Sequence, residues 1–256
     1  TSIGDYVFYN CTSLTSITIP NSVASIGRSA FKDCSNLTTV NWNATACTSE
    51  GSWESPIFGK SSNLTTINIG NNVTTIPAYA FYGCSGLTSV TIGNSVTSIG
   101  SDAFEDCNLK NIYITDIAAW CNISGLNNLM KYGSRNKNFY LNNELVTTLI
   151  IQDGVTTIPA YAFYGCSDLT SIYYTGDIVG WCSINGLGNL MSSSRTLYIG
   201  GEKVEGNFII PDSVTSISDY AFYGCTGLTS IMISDSVTSI GYYAFYGCTG
   251  LTSVTI

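Results

Sequence analysis

Residues 14–34 read LTSITIPNSVASIGRSAFKDC, and close variants of this stretch return along almost the whole chain. Residues 87–107 read LTSVTIGNSVTSIGSDAFEDC, and residues 228–248 read LTSIMISDSVTSIGYYAFYGC. The cysteines that end neighbouring copies, such as Cys11 and Cys34, are 23 residues apart. A period of this length is typical of solenoid proteins, in which every copy forms one coil and buries its apolar residues against the next coil.

The order of apolar and polar residues within one copy predicts the path of one coil. Leu14, Ile17 and Ile19 follow L-x-x-L-x-L spacing, and the alternation at the end of this run predicts a short strand with one buried face and one exposed face. The Pro, Asn and Ser that follow favour a turn. Gly27 is expected to allow a tight bend, after which the Ala-Phe-x-x-Cys phrase closes the coil.

Alignment of the copies predicts one α/β solenoid that spans residues 1–256 and contains about ten coils. We expect a parallel sheet on one face, loops and short helical turns on the other, and mostly β structure by content. The predicted strand segments start at Leu14, Leu37, Leu64, Leu87, Leu109, Val146, Leu169, Glu205, Leu228 and Leu251. Two steps, 109–146 and 169–205, are much longer than the others and interrupt the array.

The two long units resemble each other, which indicates that a second kind of repeat has been duplicated. Each contains an aspartate followed by a Trp-Cys pair at helical spacing, so we predict short helices at residues 116–123 and 177–184 with aspartate caps. Asn142-Asn143 in the first unit and Gly200-Gly201 in the second each separate two strand-like runs. These pairs predict two-residue hairpin turns.

The unit L-T-S-[IV]-T-I-P-N-S-V-T-S-I-G-x-Y-A-F-Y-G-C resembles the BspA-like leucine-rich repeat, the Treponema-type subclass of leucine-rich repeats. The resemblance covers essentially all 256 residues. The Ala-Phe-x-x-Cys phrase that carries it ends at Cys34, Cys84, Cys107, Cys166, Cys225 and Cys248. The resemblance implies secreted or surface-attached proteins of anaerobic bacteria and some mucosal parasites, some of which bind host matrix proteins or mediate bacterial aggregation. It implies no enzyme and identifies no single binding residue.

The composition of the chain excludes several classes of function. A net charge of −8 argues against nucleic-acid binding, which needs clustered Lys and Arg. Lys131, Arg135 and Lys137 do cluster, and we expect them in a solvated loop of the first long unit. No apolar run approaches the ~20 residues of a membrane-spanning helix.

Histidine is absent from the chain, which excludes Ser-His, Cys-His and histidine-metal sites. We therefore expect no enzyme activity, no cofactor and no metal site. Two groups of acidic residues could supply the carboxylate pair of a glycosidase. They are Glu50 with Glu54, and Asp102 with Glu105 and Asp106, and we expect both groups in surface loops. Asp212 and Asp235 share a turn position in neighbouring coils, so a weak calcium site is one interpretation. Asn occupies the same position in other coils, which favours a role in stabilising the turn.

The ten cysteines allow two interpretations. An even number in an extracellular chain suggests disulfides, and neighbouring coils would bring pairs such as Cys11 and Cys34 within disulfide reach. A fixed inward position is also filled well by a small apolar thiol, and buried free thiols are favoured. The cysteines of the irregular units, Cys47, Cys121 and Cys182, are open to either interpretation.

The outward residues of the strands form the stripe that we predict to bind a partner. The candidate residues are Thr18, Asn41, Asn68, Thr91, Tyr113, Ile150, Tyr173, Ile209 and Met232. Two tyrosine ladders on the opposite side either pack the loops together or present an aromatic strip. They are Tyr6, Tyr79, Tyr161, Tyr220 and Tyr243, and Tyr9, Tyr82, Tyr164, Tyr223 and Tyr246.

The sequence predicts a non-enzymatic recognition or adhesion module, at the cell surface or secreted, that binds host matrix protein or another cell-surface protein through its strand face. A structural spacer that presents a distal domain is one alternative, and carbohydrate binding by the tyrosine ladders is another. Neither end of the sequence carries a polar capping repeat, so we expect a segment of a longer surface protein.

Overall fold

The computed structural model describes residues 1–49 and 51–256. The chain forms two compact units. Unit 1 contains Thr1–Leu145 and Tyr164–Cys166, and unit 2 contains Val146–Phe163 and Ser167–Ile256. Each unit is a stack of coils in which short parallel strands alternate with turns, as the repeat period predicts.

The strands are β1 (Ser2–Ile3), β2 (Ser16–Ile19), β3 (Ser25–Ile26), β4 (Thr39–Trp42), β5 (Thr48–Ser49), β6 (Thr66–Ile69), β7 (Thr75–Ile76), β8 (Ser89–Thr91), β9 (Ser98–Ile99), β10 (Asn111–Ile114), β11 (Asn138–Leu141), β12 (Glu144–Leu145), β13 (Thr148–Ile151), β14 (Ser171–Tyr174), β15 (Thr196–Ile199), β16 (Glu202–Lys203), β17 (Gly206–Ile210), β18 (Ser216–Ile217), β19 (Leu228–Ile233), β20 (Ser239–Ile240) and β21 (Ser253–Thr255). The helices are α1 (Ile117–Cys121), α2 (Asn127–Met130) and α3 (Ile178–Ser183), with a 3₁₀ turn at Leu187–Asn189.

Three sheets carry the main strands of the coils. Unit 1 contains a seven-stranded sheet of order β12-β11-β10-β8-β6-β4-β2. Unit 2 contains a four-stranded sheet, β13-β14-β15-β16, and a three-stranded sheet, β17-β19-β21. Neighbouring coils pair in parallel and in register, so an outward residue in one coil lies beside the outward residue of the next. Two-residue strands, all of them Ser-Ile or Thr-Ile pairs except the Thr-Ser pair of β5, form the smaller sheets β1-β3-β5, β7-β9 and β18-β20.

All ten predicted strands are present, and each long unit contains one further parallel strand. β11 pairs with β10, and β15 pairs with β14, both in parallel register. The predicted hairpin turns at Asn142-Asn143 and Gly200-Gly201 are confirmed: all four residues have positive φ, and the antiparallel strands β12 and β16 follow them. A long unit is therefore an additional coil that ends in a hairpin at the sheet edge.

The helices predicted in the long units are confirmed with their caps. The Asp116 carboxylate accepts a hydrogen bond from the Ala119 backbone N–H at 2.9 Å, where α1 begins. The Asp177 carboxylate accepts one from the Gly180 N–H at 2.8 Å, where α3 begins. These bonds satisfy amide groups that have no partner within the helix.

A column of stacked phenylalanine rings forms the centre of the core in unit 1. Consecutive centroids along the column are 5.1, 5.4, 5.7 and 5.1 Å apart. The rings are those of Phe8, Phe31, Phe58, Phe81 and Phe104. Phe222 and Phe245 repeat the stack in unit 2 at 5.1 Å. Each ring packs on the rings of adjacent coils, so stability in this array comes from contact between neighbouring coils.

Close contact between coils explains Gly27, Gly100 and Gly241, each of which follows a Ser-Ile pair, and this differs from the bend that we predicted for Gly27. Gly27, Gly100 and Gly241 do not have positive φ. A Cβ atom on Gly100 would lie 2.4 Å from the backbone nitrogen of Ala78 in the preceding coil, and one on Gly241 would lie 2.4 Å from that of Asp219. Any larger residue would therefore force the coils apart.

The repeated cysteines are inward thiols, apart from Cys11, which is exposed. The thiol of Cys34 donates a hydrogen bond to the Phe8 carbonyl at 3.1 Å, and the thiol of Cys107 donates to the Phe81 carbonyl at 3.2 Å. The thiol therefore bonds the backbone of the preceding coil while filling an apolar position. The cysteines of the irregular units, Cys47, Cys121 and Cys182, are free thiols in the structure.

No helix within the described residues has both the length and the apolar character needed to cross a membrane.

Candidate binding surface on the strand face

The nine predicted site residues all lie on β-strands of the three main sheets, at positions whose side chains point away from the core. Register places them in three groups, one in each main sheet. Thr18, Asn41, Asn68, Thr91 and Tyr113 occupy consecutive strands of the seven-stranded sheet. Ile150 lies beside Tyr173 in the four-stranded sheet, and Ile209 lies beside Met232 in the three-stranded sheet.

The first group is joined by hydrogen bonds between side chains of successive coils. The Asn41 amide donates to the Thr18 hydroxyl at 3.4 Å, and the Asn68 amide donates to the Asn41 carbonyl at 2.8 Å. The Thr91 hydroxyl donates to the Asn68 carbonyl at 3.4 Å. This row, the first amide row, holds its side chains in one orientation and leaves each asparagine with unused bonding capacity toward solvent.

A second amide row runs beside the first on the same face, two residues earlier in each strand. The Asn111 amide donates to the Ser89 hydroxyl at 3.1 Å, and the Asn138 amide donates to the Asn111 carbonyl at 2.8 Å. Both asparagines are half-buried. The row ends on β11, the first strand of the hairpin predicted at Asn142-Asn143, whose parallel pairing with β10 was not predicted.

Tyrosine rings stack across neighbouring strands next to the second amide row. Tyr113 and Tyr140 are in register, with centroids 4.5 Å apart and ring planes within 9° of parallel. Burial, and then the neighbouring phenol of Tyr140, raise the pKa of Tyr113 above its ordinary value. The Tyr113 phenol therefore stays neutral at physiological pH, and it can donate as well as accept a hydrogen bond.

The four-stranded sheet repeats this stack and adds an exposed aliphatic side chain. Tyr173 and Tyr198 are in register, 4.0 Å apart and within 6° of parallel. A hydrogen bond with Tyr198 and then burial raise the pKa of Tyr173. Ile150, on the next strand, is 51% exposed. Ile150 and Tyr173, together with Thr148 and Gly201, line a shallow, mainly apolar groove on the strand face of unit 2.

The three-stranded sheet exposes two further apolar side chains at outward positions. Ile209 is 63% exposed and Met232 is 52% exposed, and the two are paired in register on β17 and β19. The equivalent outward positions of unit 1 hold Thr18, Asn41 and other polar residues. Unit 2 therefore presents a more apolar strand face than unit 1 does.

Sequence reasoning missed the stacking partners Tyr140 and Tyr198. A signal for them exists, because residues 138–141 read NFYL and repeat the alternation of residues 111–114, NIYI. Residues 196–199, TLYI, repeat residues 171–174, SIYY, in the same way. The matches are only four residues long, and they do not fit the regular spacing of the coils.

The predicted tyrosine ladders are interrupted, because several coils have other residues at the ladder positions. Ser29, for example, takes the position of Tyr6 in the next coil. Most of the contacts are pairs within one coil, such as Tyr79 with Tyr82 at 5.9 Å. A compact cluster forms in two coils of unit 2, with contacts of 3.9–6.4 Å. Its members are Tyr220, Tyr223, Tyr242, Tyr243 and Tyr246.

The prediction of a solvated basic loop is wrong for Lys137. Lys131 and Arg135 are exposed, but Lys137 is 1% exposed and donates to the Ser134 carbonyl at 2.6 Å. Burial lowers its pKa. Arg195 fills the equivalent place before β15 and also donates to loop carbonyls. Each long unit thus uses a cation to bond carbonyl groups of its own loop.

Of the two acidic groups, the structure describes Asp102 with Glu105 and Asp106 in full. Tyr132 donates to Asp102 at 3.1 Å, and burial followed by the charge of Asp102 raises the pKa of Glu105. The pairing of Glu50 with Glu54 is outside the description, because Glu50 is not among the described residues. The Ser234 hydroxyl donates a hydrogen bond to the Asp212 carboxylate, as expected for an aspartate that stabilises a turn. Among the described residues, no group of three or more Cys, Asp or Glu side chains could hold a metal ion.

The repeat period, the parallel coils and the inward leucine and phenylalanine positions define a leucine-rich repeat protein. The sequence profile described as a BspA type leucine rich repeat region matches six copies, over residues 1–125, 133–180 and 203–256. The chain therefore belongs to the BspA-type leucine-rich repeat family. The unmatched residues fall mainly in the two long units, where the helices and hairpins interrupt the regular coil.

Several solved structures are similar to this chain. A leucine-rich cell surface protein of Faecalibacterium prausnitzii A2-165 is 24% identical, with 100% of this chain and 82% of that chain covered and a TM-score of 0.38. A leucine-rich repeat protein of Bacteroides ovatus is 22% identical, over 98% and 69% of the two chains, with a TM-score of 0.34. The pneumococcal vaccine antigen PcpA is 15% identical, over 99% and 73%, with a TM-score of 0.36. No curated protein matches the sequence.

Proposed function

We propose that this chain is a non-enzymatic recognition module of the bacterial cell surface, or a secreted one, and that it binds a protein partner through the strand face of unit 2. Family membership supports a surface role, as the repeat resemblance implies. The observation that carries the proposal is the exposure of Ile150, Ile209 and Met232 at outward strand positions.

These three side chains have no structural need to be apolar. The same outward positions in unit 1 hold threonine and asparagine, and those coils stack equally well. Exposed apolar residues that are grouped on one face mark interaction sites in soluble proteins. The stacked rings of Tyr173 and Tyr198 lie next to Ile150 and add rigid area with polar tips, which suits a protein interface.

The surroundings of these residues favour a protein partner over a charged polymer. Thr148, Ser171 and Thr196 flank the groove with hydroxyl groups. An interface with an apolar centre and a polar rim is typical of protein recognition. A spacer would make no use of these exposed side chains, so its function would be unaffected by their replacement.

Surface-immobilised binding to a panel of extracellular-matrix proteins and mucin tests the proposal. The variant is the triple substitution Ile150→Thr, Ile209→Thr, Met232→Thr, which gives unit 2 the hydroxyl-rich face of unit 1. We expect saturable binding of at least one panel protein by the wild type, and a loss of about tenfold or more in the variant, because interface anchors carry most of the binding energy.

The matched control is Thr18→Ser with Thr91→Ser on unit 1, which should leave protein binding unchanged. Binding that is equal in the triple variant and the wild type would contradict the proposed face. An absence of binding to every protein in the panel would favour the spacer. A thermal unfolding curve for each variant shows that the coils remain folded.

A further inference from the structure

We propose a second binding site, for a neutral, unbranched polysaccharide, on the outward face of β8, β10 and β11 in unit 1. The site is formed by Asn111 and Asn138 beside the stacked rings of Tyr113 and Tyr140, with Thr91 on the adjacent strand. These residues are distinct from those that carry the proposed protein interface, so either site can exist without the other.

The first feature that points to a sugar is the free side of the tyrosine stack. Tyr113 is in register with Tyr140 on one side and with Thr91 on the other. Threonine is too short to cover a phenol ring, so the side of Tyr113 that faces β8 borders a space above Thr91. Aromatic rings carry negative charge on their faces, and the polarised C–H groups on the apolar face of a pyranose complement that charge.

The second feature is the unused bonding capacity of the amides. An asparagine amide has two N–H donors and two carbonyl lone pairs. The bonds along the second amide row use one N–H of Asn111, one N–H of Asn138 and one lone pair of the Asn111 carbonyl. The remaining donors and acceptors lie side by side, which matches the adjacent hydroxyl groups of a sugar, since each hydroxyl both donates and accepts.

The third feature is the absence of charge on this part of the face. The outward positions of β8, β10 and β11 hold only hydroxyl, amide and phenol groups: Ser89, Thr91, Asn111, Tyr113, Asn138 and Tyr140. The chain as a whole has a net charge of −8, which repels acidic polysaccharides at a distance. The partner is therefore a neutral glycan rather than an acidic one.

The repeat makes the site extended rather than limited to one sugar. Asn68 and Asn41 continue the polar surface on β6 and β4, each one strand further from Tyr113. Parallel strands are spaced about 4.8 Å apart, which is close to the length of one sugar residue in an extended chain. A linear oligosaccharide that lies across the strands could therefore meet an amide or a hydroxyl group at each coil.

Unit 2 offers a natural comparison, because its tyrosine stack lacks the amides. Tyr173 and Tyr198 are preceded by Ser171 and Thr196 in the positions of Asn111 and Asn138. The two stacks have nearly the same ring geometry. Any difference in sugar binding between them can be attributed to the amides and the surrounding surface.

Isothermal titration calorimetry with cellohexaose, xylohexaose and mannohexaose tests the inference on the full chain. We expect at least one of them to bind, with an affinity that does not depend on salt because no charge is involved. Tyr113→Ala and the double variant Asn111→Ala, Asn138→Ala should each weaken that binding about tenfold or more. Tyr113→Phe keeps the ring and should stay within about threefold of wild type. Tyr173→Ala should leave the affinity unchanged.

Other outcomes would overturn the inference. These are no heat of binding with any of the three hexasaccharides, equal affinity in wild type and Tyr113→Ala, or a preference for polygalacturonate that weakens with salt. The Ile150→Thr, Ile209→Thr, Met232→Thr variant should bind the hexasaccharide as well as wild type does. Failure of the protein interface and failure of the sugar site are thus observed separately.

Discussion

Tyr173 stacks on Tyr198 across two parallel strands that are 25 residues apart in sequence, with ring planes within 6° of each other. The second strand comes from the interior of a long unit, where the regular repeat is interrupted. The interruption therefore supplies the partner that fixes the orientation of Tyr173 on the strand face.

The stack should contribute measurably to stability. A double-mutant cycle with Tyr173→Ala and Tyr198→Ala is expected to give a coupling energy of about 0.5–1 kcal/mol, because stacked aromatic pairs across strands interact beyond the area that they bury. Urea unfolding of the four proteins measures it. The same cycle with Tyr173→Ala and Met232→Ala, on a different sheet, should be additive. Coupling of equal size in both cycles would show that the stack itself contributes nothing.

Alkaline pH should destabilise the protein through its buried thiols. Burial raises the pKa of Cys121 and that of Cys182 to about 12 each. An unfolded thiol has a pKa of about 8.5. The folded-state pKa lies above the unfolded one, so the stabilising contribution is complete below about pH 8.5 and is lost as the pH rises toward 12. Each such thiol should cost about 1.4 kcal/mol per pH unit in that window.

The test compares urea unfolding of wild type with that of Cys121→Ala, with reductant present, between about pH 7.5 and pH 10. The substitution destabilises the protein at every pH by leaving a cavity, and that effect is constant. Only the slope is informative. The variant should lose stability with pH more slowly, by about 1.4 kcal/mol per unit at the alkaline end, and parallel slopes would contradict the assignment.

The regular coils could be predicted from sequence because the same apolar pattern recurs many times. The predicted strand at Ile17 and Ile19, for example, is supported by equivalent strand segments in the nine other predicted coils. The strand β11 occurs in a unit that is present only twice, so its strand-like run could be predicted as part of a hairpin but its parallel pairing with β10 could not. Repetition therefore predicted the regular strands and their outward residues, while the stacking partners Tyr140 and Tyr198 lie where the regular repeat is interrupted.

The buried state of Lys137 was unpredictable for a different reason. Lysine at a position among Lys131 and Arg135 has the composition of a solvated loop, and local sequence gives no sign of an inward orientation. The cause is tertiary, since the side chain meets the carbonyl of Ser134 and lies 5.8 Å from the centre of the Tyr164 ring. These contacts depend on how the loop folds and on how it packs against the coil that contains Tyr164.

Removal of the equivalent cation in the second long unit should destabilise unit 2. The Arg195 side chain donates to the carbonyls of Leu169, at 3.2 Å, and Leu190. Arg195→Met keeps most of the aliphatic stem but leaves both carbonyls without this donor, at an expected cost of about 2–4 kcal/mol. Urea unfolding is the measurement. Arg28→Met removes an exposed arginine and should change stability by less than about 0.5 kcal/mol.

Close contact between coils makes a sharp prediction for one glycine of the repeat. A Cβ atom on Gly100 would lie 2.4 Å from the Ala78 backbone nitrogen and 2.8 Å from the Pro77 carbonyl carbon. Backbone atoms cannot move aside as a flexible side chain can, so Gly100→Ala should force the two coils apart. We expect a loss of about 1–3 kcal/mol in the free energy of unfolding, as for other overpacked cores.

Gly4 provides the control because it has the same place in the Ser-Ile-Gly phrase but faces no earlier coil in this chain. A Cβ atom on Gly4 would meet only the Val7 side chain, at an ordinary 3.5 Å. Gly4→Ala should therefore be neutral, or stabilise by about 0.4–1 kcal/mol through the lower entropy of the unfolded chain. If both substitutions cost the same, the glycine would be required for its own backbone conformation. A large loss of stability for Gly100→Ala alone would show that glycine is required there because the neighbouring coil lies so close.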